Sequence, residues 1–291
     1  MTLRPAHRTA AARKAAAVPV LDWDDAYANR AHIPDAGAVI AGWDRDAPAF
    51  RAAMSAAGRA HLDQPYGPGP REAFDLFLPD GAPRGLMVFV HGGYWMAFDK
   101  SNWSHLAAGA VARGWAVAMP SYRLAPDASI AEITDAIARF LAIAADAVPG
   151  PIALSGHSAG GHLVCRMLCE DVALPPPLRA RIARTVSISG VHDLRPLLRT
   201  AMNQTLRLTD ASAHAESPTQ LRPVPGARLI AWVGGDERPE FIRQSALIAN
   251  VWTGLGAVTT SAVAPGRHHF DVIEGLSRPE SALIEALLGG L

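Results

Sequence analysis

The chain reads as an α/β protein, a mostly parallel sheet covered by helices on both faces. Three observations predict it. Nearly half of the 291 residues are hydrophobic, ample for one large core. Short apolar runs of strand length alternate with helical segments through most of the chain. A Pro/Gly cluster at 65–70 sets this body apart from a different N-terminal stretch.

The elements follow in order. Residues 21–62 are helical in flavour, with turns expected at Pro34, Gly42 and Pro48. Residues 74–78 alternate as a strand does, and 85–90 form an apolar run of strand length. A helix is predicted over 103–112 and a buried strand over 115–119. The segment 129–145 is an amphipathic helix with Ile130, Ile133, Ile137 and Leu141 on one face. Then come a short strand at 152–154, a helix at 159–168 and a strand at 182–188. The polar stretch 191–225 breaks the rhythm and reads as a small cap insertion over one sheet edge. A strand at 229–233, a helix at 240–252, a strand at 258–263 and a closing helix at 272–288 complete the pattern. Residues 1–64 are thus an N-terminal tip and helical arm, and 65–291 the α/β main body; together they act as one domain.

Lys plus Arg and Asp plus Glu balance at 27 each. No basic stripe argues for nucleic acid, and no charged tail argues for an anionic membrane. No apolar run approaches a membrane span, and the Ala/Arg-rich start lacks a signal-peptide pattern. These features predict a soluble cytoplasmic protein with a mobile tip, acting on a small molecule; a homodimer is compatible with them. Cys165 and Cys169 stack one helical turn apart, which is not a zinc pattern, so two buried free thiols and no metal are expected.

The chemistry centres on Gly156-His157-Ser158-Ala159-Gly160, a G-x-S-x-G pattern between a short strand and a helix. A turn this tight needs glycine where side chains would clash, and it raises the serine hydroxyl above the sheet. His91-Gly92-Gly93-Tyr94-Trp95 follows an earlier strand, where an oxyanion loop belongs. The amides of Gly93, Tyr94 and Ala159 are the expected donors, with His91 bracing the loop. The base must be His268 or His269, the two histidines after the last strand. The acid should follow the strand at 229–233, where Asp236 and Glu237 compete. Spacing from the first loop glycine favours Glu237; Asp193 is a third candidate, better read as a turn and capping residue.

With these motifs the chain resembles the kynurenine formamidases (arylformamidases) of the α/β-hydrolase superfamily. The likeness rests on His91–Trp95, on Gly156-His-Ser-Ala-Gly-Gly-His-Leu163, on Ser189-Gly-Val-His-Asp-Leu194 with Asn203 and Leu208, and on Pro239-Glu-Phe-Ile-Arg-Gln-Ser245. The resemblance implies Ser158 as nucleophile, Glu237 as acid where vertebrate members carry Asp, and His269, of the pair His269-Phe270, as base. It implies hydrolysis of N-formylkynurenine to kynurenine and formate without a cofactor; a broad short-acyl carboxylesterase would share every one of these residues. A non-catalytic binding protein on the same fold would be expected to lose the serine or the histidine. Tyr94, Trp95, Phe98 and Trp103 would form an aromatic wall for an aryl group, with core packing the competing role for Phe98 and Trp103.

Overall fold

The computed structural model describes residues 19–291. The expected mobile tip lies almost wholly outside them.

Eight strands form one sheet: β1 (Ala60–Pro65), β2 (Ala73–Phe77), β3 (Leu86–Val90), β4 (Ala116–Pro120), β5 (Ile152–His157), β6 (Ile182–Ile188), β7 (Arg228–Gly234) and β8 (Val258–Ala264). Their order is β1-β2-β4-β3-β5-β6-β7-β8. β1 pairs antiparallel with β2, and β2 with β4; all other pairs are parallel. The helices are α1 (Trp23–Tyr27), α2 (Ala36–Ala56), α3 (Ala108–Ala112), α4 (Ile130–Ala147), α5 (Ala159–Arg166), α6 (Pro176–Arg181), α7 (Asn203–Leu206), α8 (Asp210–Ala215), α9 (Pro239–Thr253) and α10 (Ala282–Leu288).

The parallel strands divide their side chains between two layers. Leu86, Val88 and Val90 of β3 join the core under α4, α5 and α9. Met87 and Phe89 of the same strand join the core under α2, α3 and α10. This is the period-two alternation of a strand buried on both faces. α4 begins where Ser129 and Glu132 form a capping box, and its predicted stripe of Ile130, Ile133, Ile137 and Leu141 is buried.

Several expectations are corrected. The break between arm and body at 64/65 falls inside β1, which pairs with β2 and ties the arm into the sheet. α2 runs through Gly42 and Pro48 without turning. Pro48 is on an exposed part of the helix, where the carbonyl it leaves unbonded can meet water. The region expected as a helix from 103 begins as a 3-10 helix, Lys100–Ala107, before α3. The closing helix is broken: a short 3-10 turn, Glu274–Ser277, precedes Pro279, and α10 starts afresh from a Ser281 cap. The insertion at 191–225 packs over α4, α5 and α9 rather than over a sheet edge. Glu216 accepts from Thr134 at 2.9 Å and Arg166 at 3.1 Å, and Trp252 donates to the Pro218 carbonyl at 2.9 Å.

Three fully buried histidines bear on acid stability. Burial lowers His162 and His192 to about 3 and His91 to about 4, from an ordinary 6.5. Each is neutral in the folded chain but takes up a proton near pH 6.5 when unfolded, so the unfolded state binds more protons and stability falls as pH falls from 6.5 towards 4. Each contributes a slope of about 1.4 kcal/mol per pH unit in that window. Glu216, raised by burial, acts in the opposite direction near its own range. Thermal melts should therefore show Tm dropping steeply between pH 6.5 and 4.5; a flat profile would contradict neutral burial of these rings.

Candidate active site

The site lies at the carboxyl ends of the parallel strands, at the switch point between adjacent β3 and β5, whose following connections run in opposite directions along the sheet. Register brings the loops together. Val90 pairs with Gly156, so the loop after β3 and the turn after β5 leave the sheet side by side. His157 pairs with Ile188, which puts Ser189 beside the turn, and Gly234 pairs with Ala264, which sends the segments bearing Glu237 and His269 out together.

Ser158 has φ 55° and ψ −117°, outside ordinary helical and extended backbone, directly before α5. The tightness is measurable at Gly160, where a Cβ would lie 1.9 Å from the Val90 carbonyl oxygen. The loop after β3 passes as close from above: a Cβ on Gly92 would meet the His157 carbonyl oxygen at 2.8 Å and Ser158 Cβ at 3.0 Å. Among the described residues, the amides of Gly93, Tyr94 and Ala159 find no acceptor in the protein, although Ala159 is fully buried. Unspent donors packed this near a serine are what a developing oxyanion requires. His91 stacks on Tyr122, centroids 4.3 Å apart, and its Nδ1 donates to the Gly92 carbonyl at 2.7 Å. It braces the loop.

The candidate acid Glu237 and candidate base His269 lie together. Glu237 Oε2 lies 2.6 Å from His269 Nδ1. Oε1 accepts from the Ser189 hydroxyl at 2.5 Å and from the Gly234 amide at 2.8 Å. Asp236 is exposed and takes no part in this arrangement. Asp193 is engaged by Arg195 at 2.8 Å. His268 turns away, its Nδ1 accepting from the amides of Phe270 and Asp271 at 3.2 Å. His269 and Ser158 line one cavity without a hydrogen bond between them, a contact that commonly tightens when substrate binds. His157 Nε2 donates to the His269 carbonyl at 2.9 Å and holds the base segment over the turn. Burial, then the adjacent His269, keeps the His157 ring well below its ordinary pKa and therefore neutral.

The cavity encloses about 540 Å³. Tyr94, Phe98 and Trp103 line it as expected, together with Trp43 and Phe270. Trp95 does not. It is fully buried, its ring edge-on to His162 at 5.1 Å, because the left-handed backbone at Tyr94 and Trp95 turns the two side chains apart. No side chain of the 191–225 insertion lines the cavity; the N-terminal arm roofs it, through Tyr27, Asn29, Arg30, Ile40 and Trp43. Those residues carry no motif, and their partners lie far away in sequence. Tyr27 donates to Glu240 at 2.7 Å, Trp43 packs on Trp103 with centroids 4.4 Å apart, and Arg51 pairs with buried Asp75.

This docking explains two of the segments that drew attention in the sequence. Gln244, within Pro239–Ser245, accepts from the amides of His192 and Asp193 at 2.9 and 2.8 Å. Its amide nitrogen donates to the Tyr27 hydroxyl and to the Asp193 carbonyl, each at 3.0 Å. One side chain thus fastens the segment beginning at Ser189 and the arm to α9. Cys165 and Cys169 are both buried and free. Among the described residues, no cluster of three or more His, Cys, Asp or Glu could hold a metal ion, and no helix is long and apolar enough to cross a membrane.

Comparison with known proteins agrees with this geometry. A family model described as the alpha/beta hydrolase fold matches residues 87–221. The crystal structure of a candidate thioesterase from Silicibacter sp. TM1040 is 50% identical, covers 91% of this chain and 98% of its own, and superposes with a TM-score of 0.86. Esterase B from Lactobacillus rhamnosis, at 18% identity over 88% of this chain and 94% of its own with a TM-score of 0.64, shares the fold. The chain is an α/β-hydrolase, an enzyme acting on amide or ester bonds. The kynurenine formamidase of Salmo salar is 28% identical over 240 residues, 78% of this chain and 80% of its own. That of Drosophila melanogaster is 28% identical over 225 residues, 72% and 74% respectively. Within the superfamily the chain is thus similar to the kynurenine formamidases over more than two thirds of its length.

Proposed function

We propose that the enzyme hydrolyses N-formylkynurenine to kynurenine and formate, with Ser158 as nucleophile, His269 as base and Glu237 as the acid that orients it. The observation that carries this reading is the setting of Ser158 and His269 in a cavity walled by Trp43, Phe98, Trp103 and Phe270, a shape suited to a flat aryl group.

Ser158 Oγ attacks the formyl carbon while His269 Nε2 takes its proton. The carbonyl oxygen becomes an oxyanion among the amides of Gly93, Tyr94 and Ala159. Collapse breaks the C–N bond, and His269 returns the proton to the departing aryl amine. Water then adds to the formyl-serine with His269 again as base. Formate leaves, and Ser158 recovers its proton. Glu237 holds the Nδ1–H tautomer throughout and stabilises the imidazolium. A cytoplasmic setting accompanies this reading, supported by the two free thiols.

Steady-state hydrolysis of N-formyl-L-kynurenine, set beside p-nitrophenyl acetate and a short acyl thioester, tests the proposal. The formamide is expected to have the highest kcat/KM by at least about ten-fold, a difference of 1.4 kcal/mol in transition-state binding. Vigorous ester or thioester turnover with none of the formamide would overturn the substrate and leave the hydrolytic machinery in place.

A further inference from the structure

The catalytic cavity has a polar corner that the chemistry at Ser158 does not use. Among the described residues that line the cavity, and apart from the histidines, Arg30 is the one side chain charged at neutral pH. It is exposed, at the rim, on the 3-10 turn Asn29–His32 of the arm. Among the described residues no carboxylate pairs with it: the nearby Asp25 is taken by His32 and Arg238.

Asn29, beside it, is 6% exposed, and its Oδ1 has no hydrogen-bond partner. The orientation of that amide is fixed by Tyr94. The Tyr94 hydroxyl spends its single proton on the Tyr27 carbonyl at 2.7 Å, so it can only accept from Asn29, whose Nδ2 lies 3.2 Å away. Asn29 therefore faces Tyr94 with its nitrogen and is left with a bare acceptor. A buried acceptor without a donor is costly, and a ligand that supplies one recovers that cost.

A guanidinium seeking an anion beside a carbonyl oxygen seeking a donor matches the two ends of an α-amino acid. We propose that Asn29 and Arg30 form a subsite for the α-ammonium and α-carboxylate of an aryl amino-acid substrate whose scissile group lies at Ser158. In its full form this rests on the formamidase reading. It adds to that reading the prediction that the arm selects substrates carrying an amino-acid head over neutral aryl formamides.

Three formamides provide the test: N-formyl-L-kynurenine, its analogue lacking the α-amino group, and neutral 2-formamidoacetophenone. In Arg30→Gln, the ratio of kcat/KM for N-formylkynurenine over 2-formamidoacetophenone should fall about ten-fold, mainly through KM, as expected for loss of one charge-assisted contact. In Asn29→Leu, the preference for N-formylkynurenine over the analogue without the amino group should fall at least about three-fold. A generally weakened fold would lower all three substrates together and leave the ratios in place. Ratios within two-fold of wild type in Arg30→Gln would overturn the subsite. The same variant is measured on O-acetyl-L-tyrosine and 4-methylphenyl acetate. If no formamide is cleaved but the ester ratio falls in Arg30→Gln, the formamidase reading fails and the subsite stands; if the ester ratio does not move either, both fail.

Discussion

Ser158→Ala is expected to lower kcat on the best substrate by about 10⁵–10⁶-fold, with no comparable change in folding. The size follows from the division of labour. The acyl intermediate forms on Oγ alone, and the histidine has no proton to move once that oxygen is gone. The three unspent amides at Gly93, Tyr94 and Ala159 remain and can still polarise a carbonyl, so a residue of about 10³–10⁴-fold over the uncatalysed reaction should persist. The fold is expected to tolerate the change. Alanine must occupy the same φ of 55°, so the backbone strain is carried over, and the main-chain bond from Ser158 to the Ile188 carbonyl at 2.8 Å does not involve the side chain. A fluorophosphonate probe should label the wild type and not the variant. Turnover above about 1% of wild type in a folded Ser158→Ala protein would assign the nucleophile elsewhere.

Much of the fold could be read in the sequence, because its signals are local. A strand buried on both faces is a continuous apolar run, as in β3, and the turn at Ser158 needs glycine within two residues on either side. The position of Glu237, rather than Asp236, beside His269 was legible for a similar reason: distance along the loop from Gly234 is a local quantity. β1 was not legible. It is an antiparallel edge strand of sequence Ala-His-Leu-Asp-Gln-Pro, mostly exposed, with no apolar run to mark it. Trp95 was misplaced because its motif gives the composition of the loop and not the left-handed backbone that sends Tyr94 into the cavity and Trp95 into the core. The roof was hidden for a further reason. Tyr27 meets Glu240 across 213 residues of sequence, and neither residue carries a pattern that names the other. Ser189, which donates to Glu237, stands in the sequence only as part of a family-like segment, and its contact depends on a strand register that no short pattern encodes.

Glu237→Gln tests the acid with the least change in shape, and the expected loss in kcat is about 10³–10⁴-fold. The native carboxylate is surrounded by donors: the Ser189 hydroxyl and Gly234 amide on Oε1, and the His269 ring on Oε2. A glutamine in its place keeps one oxygen, and the Gly234 amide, which can only donate, claims it. The new NH₂ then faces His269 Nδ1 and makes that atom an acceptor. The proton moves to Nε2, the atom that must receive the serine proton, and the base is held in the wrong tautomer. Loss of the negative charge beside the imidazolium adds to the effect. Asp236→Asn should change kcat by less than about two-fold, because that side chain is exposed and touches neither partner. The two variants decide the assignment together: a large loss in Asp236→Asn with near-normal turnover in Glu237→Gln would move the acid by one residue and require the loop after β7 to rearrange when substrate binds.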